Sequence, residues 1–220
     1  MTAVRPVESP LDHPIRLGVL ISGGGTTLQN LIDRIADGRL DASIAHVIAS
    51  HTDCGGIEKA NVAGIRSDVV SRRDFPNVSE FSEAVFERLR ESDVELVLFG
   101  GFLSLLEIPD DFLHRAINIH PALIPAFCGQ GFYGHHVHEA VLARGAKVSG
   151  CTVHFADNEY DHGPIILQAC VPVHDKDTPD TLAARVFKAE CEVYPEAISL
   201  YASGRLTLEG SRVLTAPRAR

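Results

Sequence analysis

Residues Ile15 to Ile21 (IRLGVLI) are almost continuously apolar, the pattern of a strand buried on both faces of a parallel sheet. The run breaks at Ser22-Gly23-Gly24-Gly25-Thr26-Thr27, after which Leu28, Leu31, Ile32 and Ile35 recur at helical spacing and predict a helix to about Asp37. The alternation then repeats. ASIAHVIAS at 42 to 50 reads as a strand, IEKANVAG at 57 to 64 as a helix and SDVVS at 67 to 71 as a strand. Phe81, Val85, Phe86 and Leu89 mark one face of a helix from Ser79 to Arg90, and VELVLFG at 94 to 100 is the most apolar strand. This β-α-β repetition predicts an α/β fold: a Rossmann-like, mostly parallel sheet with helices on both faces and right-handed crossovers.

The texture changes after Phe102. The Pro- and Gly-rich segment from Asn118 to Gly134 carries little periodicity, as an active-site region does. VSGCTVHFA at 148 to 156 and PIILQACVPV at 164 to 173 read as strands of an antiparallel or mixed C-terminal extension. Thr178-Pro179 supplies an N-cap and a first-turn proline for a long amphipathic helix carrying Leu182, Val186, Phe187, Val193, Ala197 and Leu200, to about Ala202. The expected organisation is a flexible N-terminus over residues 1 to 14, one domain over 15 to 210, and a loose tail over 211 to 220.

Composition narrows the partners. A 220-residue chain that is 45% hydrophobic can bury one substantial core. A formal charge of −9 without a Lys/Arg-rich run argues against nucleic acid and for small molecules. No long apolar run or signal-like h-region predicts a membrane span or secretion. Five dispersed cysteines, Cys54, Cys128, Cys151, Cys170 and Cys191, suit a reducing cytoplasm better than a disulfide framework. His135, His136 and His138 lie close together but lack a Cys or carboxylate at ligand spacing, so no metal is expected. Monomer and homodimer both remain open.

Two places carry candidate chemistry. A strand ending in SGGGTT and opening a helix presents backbone N–H groups and two hydroxyls beside the positive end of a helix dipole, a setting for phosphate. The turn lacks a P-loop lysine, and Leu28 stands where a dinucleotide fingerprint needs its third glycine. Asp53, near the end of the second strand, keeps a dinucleotide reading open, and a plain tight turn is the remaining alternative. In Ala116-Ile117-Asn118-Ile119-His120-Pro121, Asn118 and His120 fall two apart on a strand, so both project from one side.

The segments VLISGGGTTLQNLID, FGGFLSLL, INIHPALIPAF and SGCTVHFADNEYDHGPIILQACVPV follow in the order found in the folate-dependent formyltransferases, and over about residues 15 to 205 the chain resembles the phosphoribosylglycinamide branch of that family. The resemblance implies the formyltransferase fold. It implies formyl transfer from 10-formyltetrahydrofolate, a co-substrate, to the amine of glycinamide ribonucleotide in purine biosynthesis, without a metal. It also implies that His120 and Asn118 stabilise the oxyanion while Asp161 tunes His120, raising its pKa so that it stays charged. Gly24, Gly25, Thr26 and Thr27 match the loop that receives the substrate phosphate, with Thr27 in place of a frequent asparagine. Glu190 matches a ribose-binding carboxylate, and His154 either lies near the ribonucleotide or is a hydrogen-bonded sheet histidine. Leu103, Ser104, Leu105 and Leu106 match one wall of the reduced-folate site, together with Asn118, and Asp157, Asn158, Glu159, Tyr160 and Asp161 match the opposite wall. Ser104 replaces a frequent arginine, and residues 128 to 134 form a longer loop than many relatives have. A 10-formyltetrahydrofolate hydrolase or another formyl-folate transferase is the alternative, because such enzymes share the Asn-x-His and late Asp pattern; the extra regulatory or basic domain that each implies is not expected for this chain. A non-catalytic nucleotide-binding module is a more distant reading.

Overall fold

A computed structural model describes residues 3–217. The chain forms two compact units, one spanning Leu11–Ile117 and the other built from residues up to Pro10 together with those from Asn118 on.

The first unit is a run of β-α-β crossovers. Its strands are β1 (Ile15–Ile21), β2 (Ala42–Ala49), β3 (Ser67–Val69) and β4 (Leu96–Phe99), joined in the order β3-β2-β1-β4 with every pairing parallel. Its helices are α1 (Thr26–Ala36), α2 (Gly56–Val62) and α3 (Val78–Glu91). Successive side chains of a strand point to opposite faces, and β1 shows both faces covered. Ile21 meets Gly56 of α2, whereas the position of Gly18 is closed by Leu89 of α3, only 2.5 Å from where a methyl would sit. That double burial explains the unbroken apolar run of β1. On α3, the residues expected on its apolar face, Phe81, Val85, Phe86 and Leu89, are all buried.

The second unit holds β5 (Ala116–His120), whose first two residues still belong to the first unit, then α4 (His135–Arg144), β6 (Val148–Phe155), β7 (Ile165–Pro172), α5 (Pro179–Ala202), β8 (Leu206–Glu209) and β9 (Arg212–Thr215). The strand order is β5-β6-β7-β9-β8, with β6 and β7 antiparallel, β7 and β9 parallel, and β8 and β9 antiparallel. The mixed extension is therefore present. Helix α5 begins as its sequence dictates, with Thr178 and Thr181 forming a reciprocal cap and Pro179 in the first turn.

The ends of the chain differ from expectation. Arg212–Thr215 is not loose but pairs as β9, and Val4 exchanges two backbone hydrogen bonds with Leu208. Both segments are too short to show a period, so pairing rather than sequence pattern orders them. Of the expected loose ends, residues 1–2 and 218–220 lie outside the described residues.

Candidate active site

The second unit brings together the imidazole, amide and carboxylate that the sequence singles out. Strand β5 alternates, so Asn118 and His120 share a side; Asp161 arrives on the turn between β6 and β7. That turn is closely determined. Glu159 N–H donates to Asp157 Oδ1 at 3.0 Å, and the His162 ring holds Asp157 Oδ2 at 2.8 Å. Gly163 lies so near the Phe155 carbonyl that no side chain fits there. Asp161 itself has φ 54°, in the left-handed region, a conformation that a non-glycine residue holds only when its surroundings enforce it.

Asp161 is the hub. Its Oδ1 accepts from Asn118 Nδ2 at 3.2 Å, its Oδ2 accepts from Gly129 N–H at 2.9 Å, and Oδ2 stands 3.4 Å from His120 Nδ1. The other ring nitrogen of His120, Nε2, is 2.8 Å from the Phe127 carbonyl. His154 on β6 points Nδ1 at the Phe155 carbonyl, 2.8 Å away, so its Nε2 is the acceptor for Asn118 Nδ2 at 3.1 Å. His154 is thus a fully buried, hydrogen-bonded sheet histidine and also a direct partner of the site amide.

The electrostatics correct one expectation. Burial of His120, which is 3% exposed, pushes its pKa below the ordinary histidine value; Asp161 and the Phe127 carbonyl pull it up, but by less. Asp161 thus raises the His120 pKa, as expected, but by less than burial lowers it. For Asp161, burial pulls the pKa up, and His154, His120 and the Gly129 amide together outweigh it, leaving the carboxyl below the usual range and ionised. A second expectation is also refined, because both N–H groups of Asn118 are already engaged, one on His154 and one on Asp161.

Glu190 on α5 is more than a surface carboxylate. It is half-buried, and desolvation pushes its pKa up to about 7. Cys128, next to Gly129, donates its thiol to the Pro125 carbonyl at 3.3 Å, and burial with the nearby Asp161 charge pushes the thiol pKa up, away from reactivity.

Asn158 and Tyr160 lie exposed on the same turn as Asp161, and the other predicted residues lie in the first unit. Gly25 caps α1 with φ 69° and ψ 34°, and α1 has neither a side-chain cap nor an acidic residue in its first turn. The carbonyls of the turn are tied back: Ser22 O faces His51 Nε2 at 2.9 Å, and Gly23 O accepts from Cys54 Sγ at 2.9 Å and from Gly56 N–H at 3.2 Å. By contrast, the amides of Gly23, Gly24, Gly25, Thr26 and Thr27 have no protein acceptor among the described residues. A methyl on Gly25 would lie 2.6 Å from Gly56 Cα and 3.3 Å from Lys59 Cδ, which places a lysine stem beside the turn. Leu103, Ser104, Leu105 and Leu106 form a loop anchored at both ends, by Leu103 N–H on Ser22 Oγ at 3.0 Å and Glu107 N–H on Ser82 Oγ at 2.8 Å. Leu103 is 54% exposed and Leu106 is 2% exposed, so one leucine roots the loop and the other is offered outward. Asp53 is exposed. Sequence reasoning missed Lys59, His51 and Cys54, which reach the turn from α2 and its approach, and the backbone groups of Phe127 and Gly129, which carry no side-chain signal.

Among the described residues, no group of three or more His, Cys, Asp or Glu side chains is arranged to hold a metal ion, and no helix is long and apolar enough to cross a membrane.

The run of parallel β-α-β crossovers, and an amide, an imidazole and a carboxylate brought within hydrogen-bonding reach of one another, are those of an α/β enzyme. The chain belongs to the formyl transferase family, whose model matches residues 15–198. It is 39% identical over 209 residues to the chloroplastic phosphoribosylglycinamide formyltransferase of Arabidopsis thaliana, covering 92% of this chain and 71% of that one. It is 40% identical over 195 residues to the trifunctional purine biosynthetic protein adenosine-3 of Homo sapiens, covering 88% of this chain but only 19% of that protein. Among solved structures, glycinamide ribonucleotide transformylase 1 from Symbiobacterium toebii superposes with a TM-score of 0.86 at 41% identity, over 94% of this chain and 96% of that one.

Proposed function

We propose that this chain is a phosphoribosylglycinamide formyltransferase, moving a formyl group from 10-formyltetrahydrofolate to the primary amine of glycinamide ribonucleotide in de novo purine synthesis, in the cytoplasm. Its membership of the formyl transferase family supports the chemistry. The observation that carries the reading is the hub at Asp161, which joins Asn118 and faces His120 Nδ1 at 3.4 Å.

His120 enters the reaction neutral, because burial depresses its pKa. The amine attacks the formyl carbon, and negative charge gathers on the formyl oxygen. The proton shed by the new ammonium passes through Asp161, directly or by one water, to His120 Nδ1. The imidazolium then arises as the oxyanion forms, and its charge stabilises the tetrahedral intermediate. The longer-than-ideal hydrogen bonds of Asn118, at 3.1 and 3.2 Å, allow one N–H to turn to the oxyanion when substrate is bound. Return of the proton to the folate nitrogen breaks the carbon–nitrogen bond, releasing tetrahydrofolate and the formylated product.

The bare amides from Gly23 to Thr27, with Lys59 alongside, suit the ribonucleotide phosphate. Glu190 and His154 serve the ribonucleotide, and the 103–106 loop and residues 157–161 serve the reduced folate.

The test is release of tetrahydrofolate from 10-formyltetrahydrofolate with and without glycinamide ribonucleotide. Acceptor-dependent release is expected; equal release in both would make the chain a hydrolase.

A further inference from the structure

Ser22 stands where the central strand of the first unit ends. In the order β3-β2-β1-β4 the chain steps outward from β1 to β3 and then returns to the other side of β1 as β4. The carboxyl ends of β1 and β4 therefore frame a switch point, the place where an open α/β sheet binds its ligands. Two loops line it, the glycine-rich turn from Gly23 to Thr27 after β1 and the segment from Leu103 to Leu106 after β4.

Past the strand ends, the ladders on both sides of β1 continue by a few bonds. Towards β4, Gly100 N–H donates to Leu20 O at 2.8 Å and Ser22 N–H to Gly101 O at 3.1 Å. Towards β2, Ser50 N–H donates to Ile21 O at 3.0 Å, and His51 Nε2 faces Ser22 O at 2.9 Å. There the backbone pattern stops and one side chain takes over. The Ser22 hydroxyl oxygen accepts from Ser50 Oγ at 2.7 Å on one side and from Leu103 N–H at 3.0 Å on the other, which uses both its lone pairs. A change of rotamer at Ser22 breaks both bonds at once.

The two ends of the 103–106 loop are held differently. Its far end is rooted by the buried Leu106 and by Glu107 N–H on Ser82 Oγ at 2.8 Å. Its near end is Leu103, 54% exposed, whose N–H rests on the Ser22 hydroxyl. The residue that launches the glycine-rich turn is thus also the anchor of the second loop.

We propose that Ser22 is a positioning residue that couples the two substrate sites: its hydroxyl ties the start of the 103–106 loop to the strand end that carries the glycine-rich turn, so that ordering either loop orders the other. The identity of each ligand rests on the proposed function, with ribonucleotide phosphate at the turn and reduced folate at the loop. A ligand that orders one loop spares the other ligand part of that ordering, so the two bind with positive cooperativity. By linkage the factor is the same in both directions.

Calorimetry with glycinamide ribonucleotide and tetrahydrofolate, which carries no formyl group and so allows no turnover, reads this factor. In the wild type each ligand is expected to lower the Kd of the other about fivefold or more, the lower end of ordinary coupling. Ser22→Ala keeps the backbone bonds and removes the hydroxyl, and is expected to leave each Kd within about twofold whether or not the other ligand is present. Ser50→Ala keeps the Leu103 bond and should fall between the two. A Ser22→Ala protein that binds each ligand more weakly but retains the wild-type factor has lost local structure alone, and overturns the proposal. The wild type offers a second reading by nitrogen-15 NMR, in which saturation with the ribonucleotide alone should move the Leu103 amide resonance; an unmoved resonance overturns the proposal without any variant. Coupled binding without formylation of the ribonucleotide would count against the proposed function and leave the coupling standing, whereas formylation with independent binding would do the reverse.

Discussion

At the scale of single residues, the proposed mechanism divides one proton task between His120 and Asp161. The groups around Asp161 hold its pKa below the usual carboxylate range and burial holds that of His120 below the ordinary histidine value, so in that mechanism the pair waits for a proton that the reaction itself releases. His120→Ala and Asp161→Asn are each expected to lower kcat by at least tenfold, the scale of a general acid–base group, as measured by steady-state tetrahydrofolate release. Protonation before substrate arrives removes the base, so kcat/KM should fall as pH drops through a pKa below the ordinary histidine value of 6.5, and His120→Ala should lose that limb. Glu190 supplies a test with the opposite sign. Its folded pKa, about 7, lies above the ordinary 4.5, so the ionised form is the one that costs stability. Glu190→Gln should therefore raise the unfolding temperature at pH 8 more than at pH 5, while weakening ribonucleotide binding. Asn118, His120 and Asp161 were legible because strand alternation and two specific motifs expose them. Phe127 and Gly129 were not, because they act through the main chain, which every residue shares.

At the scale of elements, period carried the prediction and neighbours adjusted it. The strand expected at 94 to 100 shortens to Leu96–Phe99 because Val94 N–H turns back to Leu89 O at 3.1 Å, finishing α3 instead of extending β4. The turn before α1 was readable as glycine-rich, but its grip from the β2–α2 connection was not, since that depends on a contact between segments distant in sequence. Gly25 makes the consequence testable. Its φ of 69° and its 2.6 Å approach to Gly56 leave no place for a side chain. Gly25→Ala should raise the Kd for glycinamide ribonucleotide about tenfold or more in calorimetry, with folate binding little changed. Helix α4 predicts a response to acid. His138 is 4% exposed, its Nδ1 has no hydrogen-bond partner among the described residues, and burial, with His135 and His120 nearby, pushes its pKa down to about 4. Its contribution to stability is complete above the ordinary 6.5 and is lost as pH falls towards the folded value; a shift of this size is worth on the order of 3 kcal/mol. His138→Leu should therefore lose less unfolding temperature between pH 7 and pH 5 than the wild type.

At the scale of the whole molecule, the proposed catalytic hub sits in a unit that joins an N-terminal segment, bridged at Val4, to strands from the later half of the chain. The β-α-β half was legible end to end, because parallel strands buried on two faces advertise themselves as apolar runs. The other half was legible only through β7 and α5, since β8 and β9 are four residues each and reveal themselves only by pairing. That pairing has a direction of dependence. In the strand order, β8 reaches β7 only through β9, and Val4 is joined to β8 at Leu208. Removal of residues 211 to 220 takes away β9, leaves β8 without its antiparallel partner and strips the Val4 bridge of its support, while the backbone of Leu206 and Leu208, whose side chains are 1% and 3% exposed, loses its ladder. The loss should be a few kcal/mol at most from two small apolar side chains and one short ladder, and for a protein of this length each kcal/mol lowers the unfolding temperature by roughly 2–4 °C. Among the described residues, none of those removed is hydrogen-bonded to Asn118, His120 or Asp161. A chain ending at Gly210 is thus expected to unfold at a lower temperature by calorimetry yet to keep wild-type kcat at 25 °C, and an unchanged melting temperature would mean that β9 contributes nothing to the unit it closes.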